Sequence, residues 1–155
     1  MKWIGLGFLS LVVLSAASCG TRGSADPSVV RAASSLVSSV SADKWKDLGR
    51  RRIYFAHMSV GFNIIQGIQD LESNSPTVAL RIVESRKPEA LETPGFAHYL
   101  NGENGDPLGK ITIFRETLDR GVGKVADIAM LKFCYVDFDG DTDVAQVFDE
   151  YKKAM

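Results

Sequence analysis

Two cysteines, two histidines and five prolines are all that the 155 residues hold of those types, and each shortage removes a class of protein. Two cysteines cannot make the disulfide framework of a small secreted scaffold. No His/Cys grouping has the spacing of a zinc site and no glycine-rich phosphate loop follows a strand, so neither a metal nor a cofactor is expected. The chain also lacks a charge of one sign, with 18 basic and 19 acidic residues and a formal net charge of −1. Arg50-Arg51-Arg52 with Lys44 and Lys46 is the one basic cluster. No stacking aromatic interrupts the arginine run, so it reads as a solvated approach to a strand, and nucleic acid is not an expected partner. Internal repeats and low-complexity tracts are missing as well.

Long hydrophobic runs are confined to the amino end. Met1-Lys2 precedes the apolar run Trp3 to Leu14, then Ser15-Ala16-Ala17-Ser18-Cys19. A basic start, a run too short for a mature transmembrane helix and a small-residue region describe an export signal over residues 1–18. Cys19, directly after the small residues, resembles the lipobox cysteine of bacterial lipoproteins, with Ala16 where leucine is usual. Lipidation of Cys19 would anchor the protein to a membrane in the cell envelope; the alternative is an ordinary cleaved signal. Residues 19–26 read as a tether. Asp26-Pro27 then opens a serine-rich helix with Val29, Ala33, Leu36, Val37 and Val40 on one face.

What is abundant is α/β pattern. Ile53 to Ala56 form an apolar, partly β-branched run fitting a buried strand, and Ile64, Ile65, Ile68 and Leu71 follow helical spacing. Between them lies His57-Met58-Ser59-Val60-Gly61, which puts Ser59 at the carboxyl end of a strand and the amino end of a helix. Open α/β sheets bind ligands at that edge, and free N–H groups there would stabilise an oxyanion. Ser59 is therefore either the N-cap of its helix or a nucleophile. His57, two residues earlier, would point to the same side as Ser59 if extended geometry persisted, and otherwise serves as a hydrogen-bonded structural histidine. His98 lies in a stretch from Ser85 to Pro107 that reads as a long irregular loop, where it would line a pocket or sit beside Tyr99 on the surface.

The runs I-Y-F-A-H-M-S-V-G-F-N-I-I-Q-G-I, N-G-E-N-G-D-P-L-G-K from Asn101 and L-K-F-C-Y-V-D-F from Leu131 resemble a divergent bacterial branch of the SGNH/GDSL-type hydrolases. The resemblance covers about residues 50–155. It implies a flavodoxin-like three-layer αβα fold with a parallel sheet, and Ser59 as the nucleophile. Ala56-His57-Met58-Ser59 stands where better-known members have Gly-Asp-Ser. By the resemblance, Gly102 or Gly105 with Asn101 or Asn104, beside the N–H groups of Ser59 and Gly61, would bind the oxyanion. Leu131 to Asp137 takes the place of the Gly-x-Asn-Asp block without its asparagine. The family's Asp-x-x-His block, carrying the base, has no counterpart up to Met155, so residues 27–155 are expected to be a partial domain. The implied activity is hydrolysis of esters, with acyl groups on carbohydrate or a small-molecule ester as substrate. A non-catalytic envelope lipoprotein that keeps the fold as a binding module is the alternative.

Further strands are expected over Val78 to Val83 and Asp127 to Asp137, with a helix marked by Ile111, Phe114 and Leu118 and ended by Gly121 and Gly123. Asp141 or Thr142 would cap a final helix with Val144, Val147, Phe148 and Tyr151 on one face. Cys134 reads as a buried thiol. Asp137 to Asp143 alternates acids as a calcium loop does, but Thr142 and Phe148 stand where that motif needs glycine and glutamate.

Overall fold

The sheet is set by a run of side chains that water does not reach. In the computed structural model, which describes residues 35–75 and 77–155, Ile53, Tyr54, Phe55 and Ala56 are all at most 5% exposed. They fill the first strand of the unit spanning Ser39–Met155. In chain order that unit has α1 (Ala42–Leu48), β1 (Arg52–His57), α2 (Gly61–Asn74), β2 (Ile82–Glu84), a 3-10 turn (Pro88–Leu91) and β3 (Gly95–Leu100). It continues with α3 (Pro107–Thr117), a wider helical turn (Leu118–Val122) kinked at Gly121 and a last helical turn (Gly123–Val125), so that the helix runs past both glycines expected to end it. Then come β4 (Ile128–Leu131), a 3-10 turn (Tyr135–Asp137) and α4 (Val144–Ala154). The proposed export signal, Cys19, the tether and the Asp26-Pro27 helix start lie outside the described residues.

All strand pairs are parallel, in the spatial order β2-β3-β1-β4. Successive side chains alternate across the pleat. Tyr54 and Ala56 join Ile111 and Phe114 of α3 and Val147 and Ala154 of α4 in one core, while Ile53 and Phe55 pack with Ile65 and Ile68 of α2 on the other face. The protein is thus a three-layer α/β fold. From β1 the chain moves outward to β2 and β3, then crosses back to place β4 on the other side of β1. That reversal makes the carboxyl ends of β1 and β4 the topological switch point, where such sheets bind ligands.

Several elements differ from the sequence reading. Val78 is not in a strand; it is buried in an apolar cavity of about 300 Å³ beside Trp45, Leu48 and Phe96, and strand pairing begins only at Ile82. The stretch from Ser85 to Pro107 is not an irregular loop throughout, since it contains β3, buried along most of its length. The strand expected to run to Asp137 ends at Leu131, because the Asp137 carboxylate accepts a hydrogen bond from Cys134 N at 2.6 Å and folds the segment back. The final helix is capped by Asp143, whose Oδ1 accepts from Gln146 N at 3.0 Å, rather than by Asp141 or Thr142. Arg52, from the basic cluster, forms a two-point ion pair with Asp127 at 2.9 Å across the β1 and β4 starts. Among the described residues no helix is long and apolar enough to cross a membrane.

Candidate functional site

β1 delivers the chain to the switch point and then stops abruptly. Ser59 has φ +46°, the only positive φ outside glycine among the described residues. A side chain in that left-handed region costs on the order of 1–2 kcal/mol, and such strain persists where surrounding structure imposes it. Two bonds close the turn: Gly61 N donates to Met58 O at 3.0 Å and Phe62 N to Ser59 O at 2.9 Å. Ser59 itself is exposed. It is not the cap of α2, since the N-cap position is Val60 and carries no side-chain capping bond.

The first N–H groups of α2 are already used. Gly61 N, a candidate oxyanion donor on sequence grounds, is bonded to Met58 O. The N–H groups of Ser59 and Val60 donate to no described group. A strand-to-helix turn with a strained serine and free N–H groups at the serine and the next residue has the donor arrangement of an acyl-transfer site. Val60 N, one residue before the expected Gly61 N, is the free donor because the turn bond to Met58 O uses Gly61 N.

Gly61 has a different reason to be glycine. An added Cβ would lie 2.2 Å from His57 Nδ1, so the imidazole occupies the space a side chain would need. Gly61→Ala is therefore expected to cost about 1–3 kcal/mol or more, as overpacking does. In a double-mutant cycle with His57→Ala, measured by urea unfolding, the combined loss should be smaller than the sum, because the smaller residue 57 vacates that space. Additive losses would contradict the contact.

His57 does not meet Ser59. Its ring is fully buried, stacked on Phe55 at 4.9 Å between centroids and edge-on to Phe62 at 5.1 Å, and its Nε2 lies 3.1 Å from His98 Nδ1. His57 Nδ1 is buried without a hydrogen-bond partner. Orphaned acceptors are less costly than orphaned donors, and a lone pair facing the start of α2 suits its positive end. We therefore assign the shared proton to His57 Nε2, donating to His98 Nδ1. Burial, then the neighbouring His98 and Lys132, push His57 down to about 4, and burial also lowers His98 against the opposing pull of Glu84. Both rings are neutral at pH 7. His98 is thus a buried strand residue, not part of a pocket-lining loop.

Beneath the turn, a second buried network ties the strand ends together. Asn101, directly after β3, donates its N–H to His57 O and its side-chain amide to Lys110 O, both at 2.9 Å. Lys110 Nζ lies 2.7 Å from each oxygen of Asp137, and both side chains are 0% exposed. Asn104 Oδ1 accepts from the same ammonium at 3.1 Å, and Gly105 N donates to Asp137 at 2.9 Å. Burial opposes the charge on Asp137, but the Lys110 ammonium and the N–H groups of Cys134 and Gly105 outweigh it and hold the carboxyl below its usual range. Gly102, at φ +71°, lies against Lys110, where a Cβ would be 2.8 Å from its Cγ. Gly102, Asn104 and Gly105 are thus spent on the Lys110 pair, and no described contact links them to Ser59. This pair was the main feature the sequence reading missed.

The acid-rich loop after Asp137 is committed internally. Asp139 accepts from Thr142 Oγ1 and Asp141 N, and Asp143 caps α4. Cys134 is a buried free thiol whose Sγ donates to Met58 O at 3.5 Å. The described residues hold no cluster of metal-ligating side chains.

Topology and edge together define the class: an α/β protein with a parallel sheet whose strained serine turn stands at the switch point. In comparison with known proteins, no family model matches the chain, and no match was found among curated proteins or solved structures.

Proposed function

We propose that the protein is a serine hydrolase of esters, with Ser59 as the nucleophile. The observation that carries the reading is the left-handed, exposed Ser59 between a buried strand and α2, with the Ser59 and Val60 N–H groups unused. Ser59 Oγ would attack an acyl carbonyl carbon, and those two N–H groups would receive the negative oxygen. The resemblance to SGNH/GDSL-type hydrolases favours the same serine and an acyl ester, on carbohydrate or a small molecule, as substrate. On that reading the protein works in the cell envelope, exported and held there by a lipid on Cys19.

One observation favours a second reading. The two imidazoles are bonded to each other, and neither is hydrogen-bonded to Ser59. A binding module that holds an ester at the same edge without turning it over would need no base. Hydrolysis of a panel of short acyl and acetylated-sugar esters, with exogenous imidazole as base, separates the two. The hydrolase should turn over at least one ester, and Ser59→Ala should fall to background; losing a nucleophile of this kind costs up to about a million-fold. Binding of an ester without turnover by the wild type would select the module.

A further inference from the structure

Lys132 is the first residue beyond β4, and its N–H bonds to Ala56 O at 2.9 Å, so its backbone stands level with the end of β1. Its half-buried ammonium donates to Phe133 O at 2.8 Å and lies 3.7 Å from Cys134 Sγ. That thiol donates in turn to Met58 O, one peptide bond from Ser59. No described carboxylate pairs with Lys132, and the nearest acids in sequence, Asp127 and Asp137, are engaged by Arg52 and Lys110. Its charge also reaches His57, whose protonation it disfavours. A cation partly withdrawn from water and lacking a counter-charge is poised to receive one.

We propose that the Lys132 ammonium stabilises the negative charge that develops on the substrate carbonyl oxygen when Ser59 attacks, an assignment that rests on the hydrolase reading. In that step Ser59 Oγ bonds to the carbonyl carbon, the π pair moves onto oxygen, and the hydroxyl proton passes to a base from solution, imidazole in the assay below. The oxyanion re-forms the carbonyl as the alkoxide leaves and takes the proton back from imidazolium. Water then repeats the sequence on the acyl-serine and frees the acid and Ser59. Lys132 carries charge through both halves and transfers no proton.

The test uses the full chain in imidazole buffer with p-nitrophenyl butyrate, comparing wild type, Ser59→Ala, Lys132→Met and Lys132→Arg. Loss of one preorganised donor to an oxyanion lowers kcat by about 10²–10³-fold, so Lys132→Met should do so while KM stays within about threefold, and Lys132→Arg should keep most of the rate. Binding of phenylboronate, which forms an anionic tetrahedral adduct on serine, should weaken in Lys132→Met in parallel with kcat/KM. If Lys132→Met does not fold, Lys132→Gln, which keeps a donor for Phe133 O without the charge, is held to the same criterion. A reactive wild type matched by the uncharged variant overturns this inference alone. A wild type no faster than Ser59→Ala overturns the hydrolase reading and this inference with it.

Discussion

Asp137→Ala is expected to destabilise the protein by about 3–5 kcal/mol, since it leaves the Lys110 ammonium buried without its counter-charge. Small domains have only about 5–15 kcal/mol in total, so this single change takes a large share of it. Both partners are 0% exposed, which leaves no water to solvate the stranded charge. The loss is compounded because Asp137 also holds Cys134 N and Gly105 N, and so ties the loop after β3 to the segment after β4. Lys110→Met combined with Asp137→Leu removes both charges and should recover much of the loss, because replacing a buried pair by apolar residues is often neutral. Urea unfolding of the three proteins measures this. A loss under about 1 kcal/mol for Asp137→Ala would mean that water reaches the pair.

Acid should weaken the fold through His57 well before the carboxylates titrate. The ring is held at about 4 in the folded protein, against roughly 6.5 in an unfolded chain. Between those values the unfolded state binds more protons, so stability is fully present above about pH 6.5 and declines as pH falls toward 4. Below the folded value both states are protonated and the decline from this group levels off. The shift corresponds to on the order of 3 kcal/mol. The groups facing the pair are Glu84, which favours charge on His98, and Lys132, which opposes it on His57. His57→Gln should flatten the profile of melting temperature between pH 7 and pH 4. An unchanged slope in that variant would place the acid sensitivity elsewhere.

The segment from β1 through α2 was legible because its information is local: a buried apolar run, a turn and a helical stripe follow each other without interruption. β3 was not. Pro94-Gly95 at its start and His98 within it look like loop chemistry, and only the parallel pairing with β1 explains a buried imidazole there, satisfied by another imidazole 41 residues away. The Lys110–Asp137 pair has no sequence signature at all, since two charges 27 residues apart read as two surface residues until the fold buries them. The strand that apolar content extended to Asp137 is cut short by the bond from Cys134 N to the same Asp137 carboxylate. At the candidate site, Ser59 was singled out correctly as the residue at the strand-to-helix turn, yet the geometry that distinguishes it is a backbone angle, which no side-chain pattern encodes. Gly61 was chosen as a donor and turned out to be a cavity for His57.

One oxygen atom, Ser59 Oγ, separates the hydrolase from the binding module. Treating the folded wild-type protein with a fluorophosphonate probe, in the presence of imidazole, and mapping the adduct by peptide mass spectrometry asks whether Ser59 Oγ is activated by its turn. The expected result is a single phosphonylated residue, Ser59, formed far faster than on the other serines of the chain and lost when the protein is unfolded in urea. Adduct spread over several surface serines at equal rates, or none at Ser59, would contradict the hydrolase assignment and leave the serine turn as a strained feature of a binding protein.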